Sequence, residues 1–206
     1  MNITQDNILI KRSSKEFIDN LLNKNPNWKV LDIGCGYTAH KNATVVCDVQ
    51  DLSNFYKNKN FIKLDGKTLP FKNDEFDFVI ASHVLEHVKD VTSFIKELSR
   101  VSSKGYIELP TVLEDNLVFE NKKDHIWHME FDDIQNKLNI SEKIQYLEPV
   151  ITVSTSKKFS KIFRQSLVLE LYWEENIEFN LIQKNKNDIQ KISRFVLFRK
   201  FLSKHI

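Results

Sequence analysis

The sequence predicts one α/β domain built on a doubly wound, mostly parallel sheet with helices on both faces. Three observations predict it. Short apolar runs that each end in an acidic or small polar residue alternate with stretches of helical periodicity. The chain has 206 residues, 41% of them hydrophobic and 28% charged, which suits one core and is too apolar for a disordered segment. Glycine is scarce, with four in the chain against roughly 7% in average proteins. Two of them, Gly34 and Gly36, directly follow the first apolar run.

The elements follow in order. Ser13-x-x-Glu16 reads as a capping box, with Phe17, Ile18, Leu21 and Leu22 as the apolar stripe of a helix that ends near Asn25-Pro26. Trp28 to Ile33 is a buried strand that leaves its sheet through the Gly34-Cys35-Gly36 turn. Thr44 to Cys47, closed by Asp48, is the second such strand. Phe61 to Leu64, closed by Asp65-Gly66, is the third, and Phe76 to Ala81, closed by Ser82-His83, is the fourth. Val91, Phe94, Ile95, Leu98 and Val101 recur at helical spacing, with Gly105 placed as terminator. Tyr106 to Leu109 is a fifth strand, ended by Pro110. Residues 111–150 read as an irregular insertion, and Leu167 to Trp173 with Ile177 to Ile182 as a hairpin turning at Glu174-Glu175-Asn176. Alternation of this kind implies right-handed crossovers, and such sheets bind ligands at the carboxyl ends of their strands. Asp32, Asp48, Asp65 and Ser82 all fall there.

Composition narrows the function. No run reaches the ~18 apolar residues of a membrane span, and MNITQDNILIKR lacks the order of a secretion signal, so a cytoplasmic protein is expected. Cys35 and Cys47 are too few for a disulfide framework and are expected as reduced thiols. The net charge of +2 divides unevenly. Residues 184–206 hold seven basic groups against Asp188, a net of +6, which leaves −4 on residues 1–183. An acidic body argues against nucleic acid as a partner. The boundary expected is therefore a domain over 1–183 and a basic amphipathic helix over 184–206, in which Ile189, Ile192, Phe195, Val196 and Phe198 to Leu202 interleave with Lys191, Arg194, Arg199 and Lys200. Such a helix docks on its own domain, on a second subunit of a homo-oligomer, or peripherally on an anionic membrane.

Gly34-Cys35-Gly36-Tyr37-Thr38-Ala39 matches the dinucleotide pattern G-x-G-x-x-G/A, which favours an NAD-dependent oxidoreductase as a rival reading. Asp32 opposes it, because a carboxylate two residues before the first glycine repels a pyrophosphate. S-adenosylmethionine reverses the sign, since it carries a sulfonium and an ammonium and no phosphate. Val30-Leu31-Asp32-Ile33-Gly34-Cys35-Gly36 resembles the first motif of the Rossmann-like, class I S-adenosylmethionine-dependent methyltransferases. Asp65-Gly66 with Leu69-Pro70-Phe71, then Phe76 to Ile80, His83-Val84-Leu85-Glu86-His87-Val88 and Glu97 to Val101 are similar to the later segments of the small-molecule branch. The resemblance covers about residues 28 to 111. It implies a seven-stranded-type sheet and S-adenosylmethionine as cofactor, bound by Asp32, Gly34, Cys35, Gly36, Asp48, Val49, Asp65, Gly66, Ser82 and His83. In it Asp48 takes both ribose hydroxyls and Asp65 the adenine amino group. Thr38 stands where the family often has a third glycine and narrows the methionine end of the pocket.

Methyl transfer to a hydroxyl or amine invites a general base with pKa near 7, and histidine is the natural candidate. His83 lies beside the expected methyl position, while His87, a turn later, is expected to be structural. His125 and His128 flank Trp127 in the stretch expected to shape the acceptor pocket, so these three are the substrate-binding candidates, and His83 with His128 the catalytic ones. Glu108 reaches the same pocket from the fifth strand if its side chain points that way. Two histidines spaced by three suit one ion on a helix, but the sequence fixes no further ligand, and no metal is expected. The acceptor expected is a small molecule, such as a sugar or glycan precursor, with a lipid or quinone as the competing fit to the basic apolar tail. A non-catalytic, cofactor-binding partner subunit of another methyltransferase is the remaining alternative.

Overall fold

Seven strands form one sheet in the computed structural model, which describes residues 9–66, 68–184 and 193–203. The elements are β1 (Ile10–Arg12), α1 (Lys15–Lys24), β2 (Val30–Ile33), β3 (Val45–Asp48), β4 (Asn60–Lys63), β5 (Phe78–Ser82), a 3-10 turn (Leu85–His87), α2 (Val91–Val101), β6 (Lys104–Pro110), α3 (Val112–Leu117) and α4 (Asn121–Asp124). They continue with β7 (Trp127–Asp132), β8 (Lys137–Glu142), α5 (Val153–Phe159), α6 (Arg164–Leu167), β9 (Val168–Glu174), β10 (Phe179–Ile182) and α7 (Arg194–Leu202). The strand order is β1-β9-β6-β5-β2-β3-β4. All pairs from β6 to β4 are parallel, and β9 runs antiparallel to both β6 and β1.

The period of two along β2 explains why helices cover both faces. Leu31 and Ile33 join Ile95 and Leu98 of α2 in the larger core, whereas Val30 turns the other way to Ile18 and Leu22 of α1. With both faces buried, the central strands VLDI, VVCD and FVIA carry almost no polar residues besides the acids at the ligand-binding end.

Four expectations are corrected. Helix α1 is capped by Ser14, not Ser13, with the Ser14 hydroxyl oxygen accepting from Phe17 N–H at 3.1 Å. Gly105 is no helix terminator: α2 ends at the Ser102 cap, and Gly105 lies inside β6, where a Cβ would stand 2.0 Å from the Trp173 ring. Residues 111–150 are not irregular, because α3, α4 and the antiparallel pair β7–β8 occupy them. Finally, β9 and β10 do not pair; β10 joins β8 in parallel to make a second sheet of order β10-β8-β7.

Helix α7 covers Arg194–Leu202, with Phe195 and Phe198 exposed at 73% and 60% rather than packed on the sheet. Ile189, Lys191 and Ile192 of the expected tail helix lie outside the described residues. Among the described residues no helix is long and apolar enough to cross a membrane.

Candidate active site

The carboxyl ends of β2, β5 and β6 open into a cleft of about 810 Å³, roofed by residues of α3, α4 and α5. Its floor is the glycine turn. Gly34 and Gly36 take φ of +64° and +48°, the left-handed region that glycine enters without strain, and a Cβ on Gly34 would meet Val84 at 2.5 Å. The turn is tied down by N–H donation from Gly34 and Cys35 to the Cys47 carbonyl, at 2.8 and 3.1 Å. Gly36 N–H donates to Asp48 Oδ2 at 2.9 Å and Gln50 N–H to Oδ1 at 2.8 Å, so each oxygen of the β3-terminal carboxylate holds one backbone donor.

Asp32, Gly34, Cys35, Gly36, Thr38, Ser82, His83, Glu108 and His125 line this cleft together. Asp48, with exposed Val49, stands beside the turn at the end of β3. Exposed Asp65 and Gly66 follow β4 one strand further out, with Gly66 at φ +81° and its missing Cβ 3.9 Å from Val49. Of the residues expected at the cofactor, the nine-tenths-buried Asp32 is the electrostatic centre. Burial pushes its carboxyl up to about 6, although His40 N–H, donating to Oδ2 at 2.6 Å, works against the rise. A cationic group entering the cleft restores the charge of this carboxylate, whereas a pyrophosphate meets it unfavourably. The residues therefore fit a sulfonium and an ammonium. Burial pushes the Cys35 thiol up to about 11, which makes it a packing group under the turn rather than a nucleophile.

His83 sits at φ +55°, its N–H donating to the Glu108 carbonyl at 2.8 Å. Its Nδ1 lies 3.3 Å from Glu86 Oε1 and its Nε2 3.7 Å from Glu108 Oε1. Partial desolvation by the cleft walls would lower the imidazole, whose side chain is 43% exposed, but the two carboxylates outweigh it and hold His83 up to about 10. Glu108 is the matching anion: burial raises its carboxyl, and His83 and Arg164, the latter at 2.9 Å, overcome that to bring it down to about 2. This environment favours an imidazolium at His83 over the neutral ring that a general base near pH 7 needs, while leaving the side chain on the cleft lining where contact with cofactor or acceptor is expected.

Two of the three acceptor-pocket expectations are also corrected. The chain leaves α4 at Asp124 and runs extended from Trp127, so His125 and His128 share no helical face. They converge on Asp115 instead. His125 Nδ1 pairs with Asp115 Oδ1 from the cleft side, and His128 Nε2 lies 3.7 Å from Oδ2 from the interior. His128 is fully buried, and burial brings its pKa down to about 4, which leaves a neutral ring away from the cleft lining. Trp127 donates Nε1–H to the Val88 carbonyl at 2.8 Å and packs on the main core.

Sequence reasoning missed the opposite wall: Glu114, Asn121, Ser156, Lys157 and Arg164. One signal was present. Thr111-x-x-Glu114 directly after Pro110 is a capping-box pattern, and Thr111 does cap α3 by accepting from Glu114 N–H at 3.2 Å.

Comparison with known proteins agrees with this geometry. A family model described as a methyltransferase domain matches residues 31–107, which hold the glycine turn, Asp48, Asp65 and His83. An uncharacterized protein of Methanocaldococcus jannaschii is 30% identical, over 77% of this chain and 86% of its own. A ubiquinone biosynthesis O-methyltransferase of Pelagibacter ubique is 31% identical over 44% of each chain. Among solved structures, a putative methyltransferase of Haloferax volcanii, in complex with the Trm112 methyltransferase activator, is 15% identical over 81% of this chain and 94% of that one, with a TM-score of 0.46. Residues 31–107 are thus a methyltransferase domain of the class I S-adenosylmethionine-dependent kind, and the buried acid under its glycine turn suits the cationic end of that cofactor.

Proposed function

We propose that the chain methylates a polar small molecule, a sugar or glycan precursor, seated between the glycine turn and α5. The observation that carries this reading is the hydrogen-bonding character of the wall facing the turn. Ser156 Oγ–H donates to Glu114 Oε1 at 2.8 Å, and Asn121 Nδ2–H donates to Glu114 Oε2 at 2.6 Å. Lys157, Ser160 and His125 continue the same wall. A hydroxylated ligand finds both donors and acceptors there.

The bound cofactor supplies a methyl group on a positive sulfur; the chain supplies placement. With the cofactor bound, Asp32 would hold its cationic end, Asp48 would offer its remaining lone pairs to the ribose hydroxyls, and Asp65 would take the adenine amino group. Positioning of two reactants is worth ~7–11 kcal/mol of barrier. His83, charged and with both ring N–H groups turned to Glu86 and Glu108, is not the group that takes the acceptor's proton. Glu114, whose carboxyl burial raises above its usual range against the opposing Ser156 hydroxyl, is the wall group suited to receive that proton.

A second reading has its own observation: Ile162 and Phe163 are exposed at 78% and 56% just before cleft-lining Arg164, which would suit a quinone or lipid. Incubating the protein with labelled S-adenosylmethionine and parallel sets of sugars, sugar nucleotides and quinols, read by mass spectrometry, separates the two. Methyl transfer to a sugar-bearing acceptor is expected. Transfer confined to quinols overturns the polar reading, and no transfer to any of these sets favours a non-catalytic partner subunit.

A further inference from the structure

Glu86, which faces His83, His125, which lines the acceptor wall, and the exposed His87 converge beside the cleft. One ligand atom of each lies within 4.8 Å of the other two. We propose that they bind a divalent transition-metal ion of the zinc type, with an open fourth position toward the cleft.

The argument rests on how each ligand is prepared. Glu86 is 1% exposed. Its Oε1 faces His83, while the buried Oε2 has no hydrogen-bond partner among the described residues. A buried carboxylate oxygen without a partner is costly, and a cation removes the cost. His87 Nδ1 lies 2.9 Å from the Asp124 carbonyl, which can only accept, so Nδ1 carries the proton and Nε2 keeps its lone pair. His125 Nδ1 pairs with the buried Asp115 carboxylate in the same way, again leaving Nε2 as the free donor atom. A ligating histidine whose other nitrogen donates to a carboxylate or carbonyl is the usual outer-shell arrangement of zinc sites, and here both histidines have it.

The two rings meet edge to face, with centroids 4.5 Å apart. Around zinc, with bonds of ~2.0–2.2 Å, tetrahedral ligand atoms stand ~3.4 Å apart, so atoms now within 4.8 Å of one another must draw together, and His87 is exposed and free of core packing on that side. Two histidines and one carboxylate with an open position is a donor set of catalytic rather than structural zinc. His125 lines the cleft, so an ion there would present its open position to an acceptor oxygen. That use in catalysis rests on the acceptor reading above; the ion site itself rests only on the three ligands. The sequence expectation of no metal came from pairing His125 with His128, whereas the fold pairs His125 with residues 86 and 87, some forty positions earlier in the chain.

The test uses the full chain, stripped with a chelator and titrated with zinc by calorimetry, and with cobalt(II) by visible absorption. Binding of one ion per chain is expected, with the absorption of four-coordinate cobalt. His87→Ala, at an exposed position, should leave the melting temperature unchanged and weaken the ion at least about tenfold, and Glu86→Gln should do the same to the ion. S-adenosylhomocysteine binding by the metal-free chain should persist, which separates this site from the cofactor and acceptor readings. Absence of binding, or binding that His87→Ala leaves intact, overturns the proposal.

Discussion

Asp32→Asn should stabilise the ligand-free protein at neutral pH while weakening its cationic ligand. The folded carboxyl is raised from 3.8 to about 6, chiefly by burial. A rise of roughly 2 units, at ~1.4 kcal/mol each, puts the penalty for keeping Asp32 ionised in the fold at about 3 kcal/mol. The sign follows from the direction of the shift. Below about pH 4 the carboxyl is protonated in both states and costs nothing; the penalty grows between about 4 and 6 and is complete above. Asparagine removes the charge and keeps an oxygen for the His40 N–H, though the neutral bond is weaker by about 1 kcal/mol. A net gain of about 1–2 kcal/mol at pH 8 remains, a rise in melting temperature of roughly 2–8 °C for a chain this size, vanishing near pH 4. Calorimetry of S-adenosylhomocysteine, which retains the ammonium, should show wild-type affinity climbing as pH rises through about 6 and no such climb in the variant. An Asn variant less stable than wild type at pH 8, or equal pH slopes of affinity, would refute this placement of charge.

Asp48→Ala removes the acceptor for Gly36 and Gln50 N–H as well as the proposed ribose contact, so S-adenosylhomocysteine affinity should fall by at least tenfold, each charged bond being worth roughly 1.5–3 kcal/mol. Undiminished affinity in a variant that still folds would move the ribose contact elsewhere. Gly105→Ala would place a methyl 2.0 Å from Trp173 and 2.5 Å from the Val79 carbonyl, an overpacking cost of about 1–3 kcal/mol or more that thermal denaturation should register. An unchanged melt would mean that β6 and β9 are not this close.

The parallel half of the fold was legible because its signals are local. Each strand from β2 to β6 is a short apolar run with a glycine turn, an acid, Ser82-His83 or Pro110 at its end, and Gly34 and Gly36 occupy positions whose positive φ demands them. The other half was not, because apolar alternation identifies strands without identifying their partners. Leu167 to Trp173 and Ile177 to Ile182 read as a hairpin, yet β9 already has both edges filled, Leu171 opposite Ile107 on β6 and Arg12 on β1. β10 is left to find β8, with Phe179 opposite Leu138. Strand β1, three residues with only Ile10 buried, gives almost no signal of its own.

The site divides along the same line. Asp32 and Asp48 are set by the turn that follows their own strands, and sequence distance does not blur them. The state of His83 depends on two carboxylates of different kinds. Glu86 lies three residues ahead, visible at once; Glu108 faces His83 because β5 and β6 pair with Ser82 opposite Glu108, a register that a one-residue slip would reverse. Both carboxylates raise the imidazole, and only the nearer in sequence is visible without the fold. The second carboxylate, delivered by strand register, helps to hold the same side chain as a cation, and in the proposed reading the task of taking a proton falls to Glu114 on the opposite wall of the cleft.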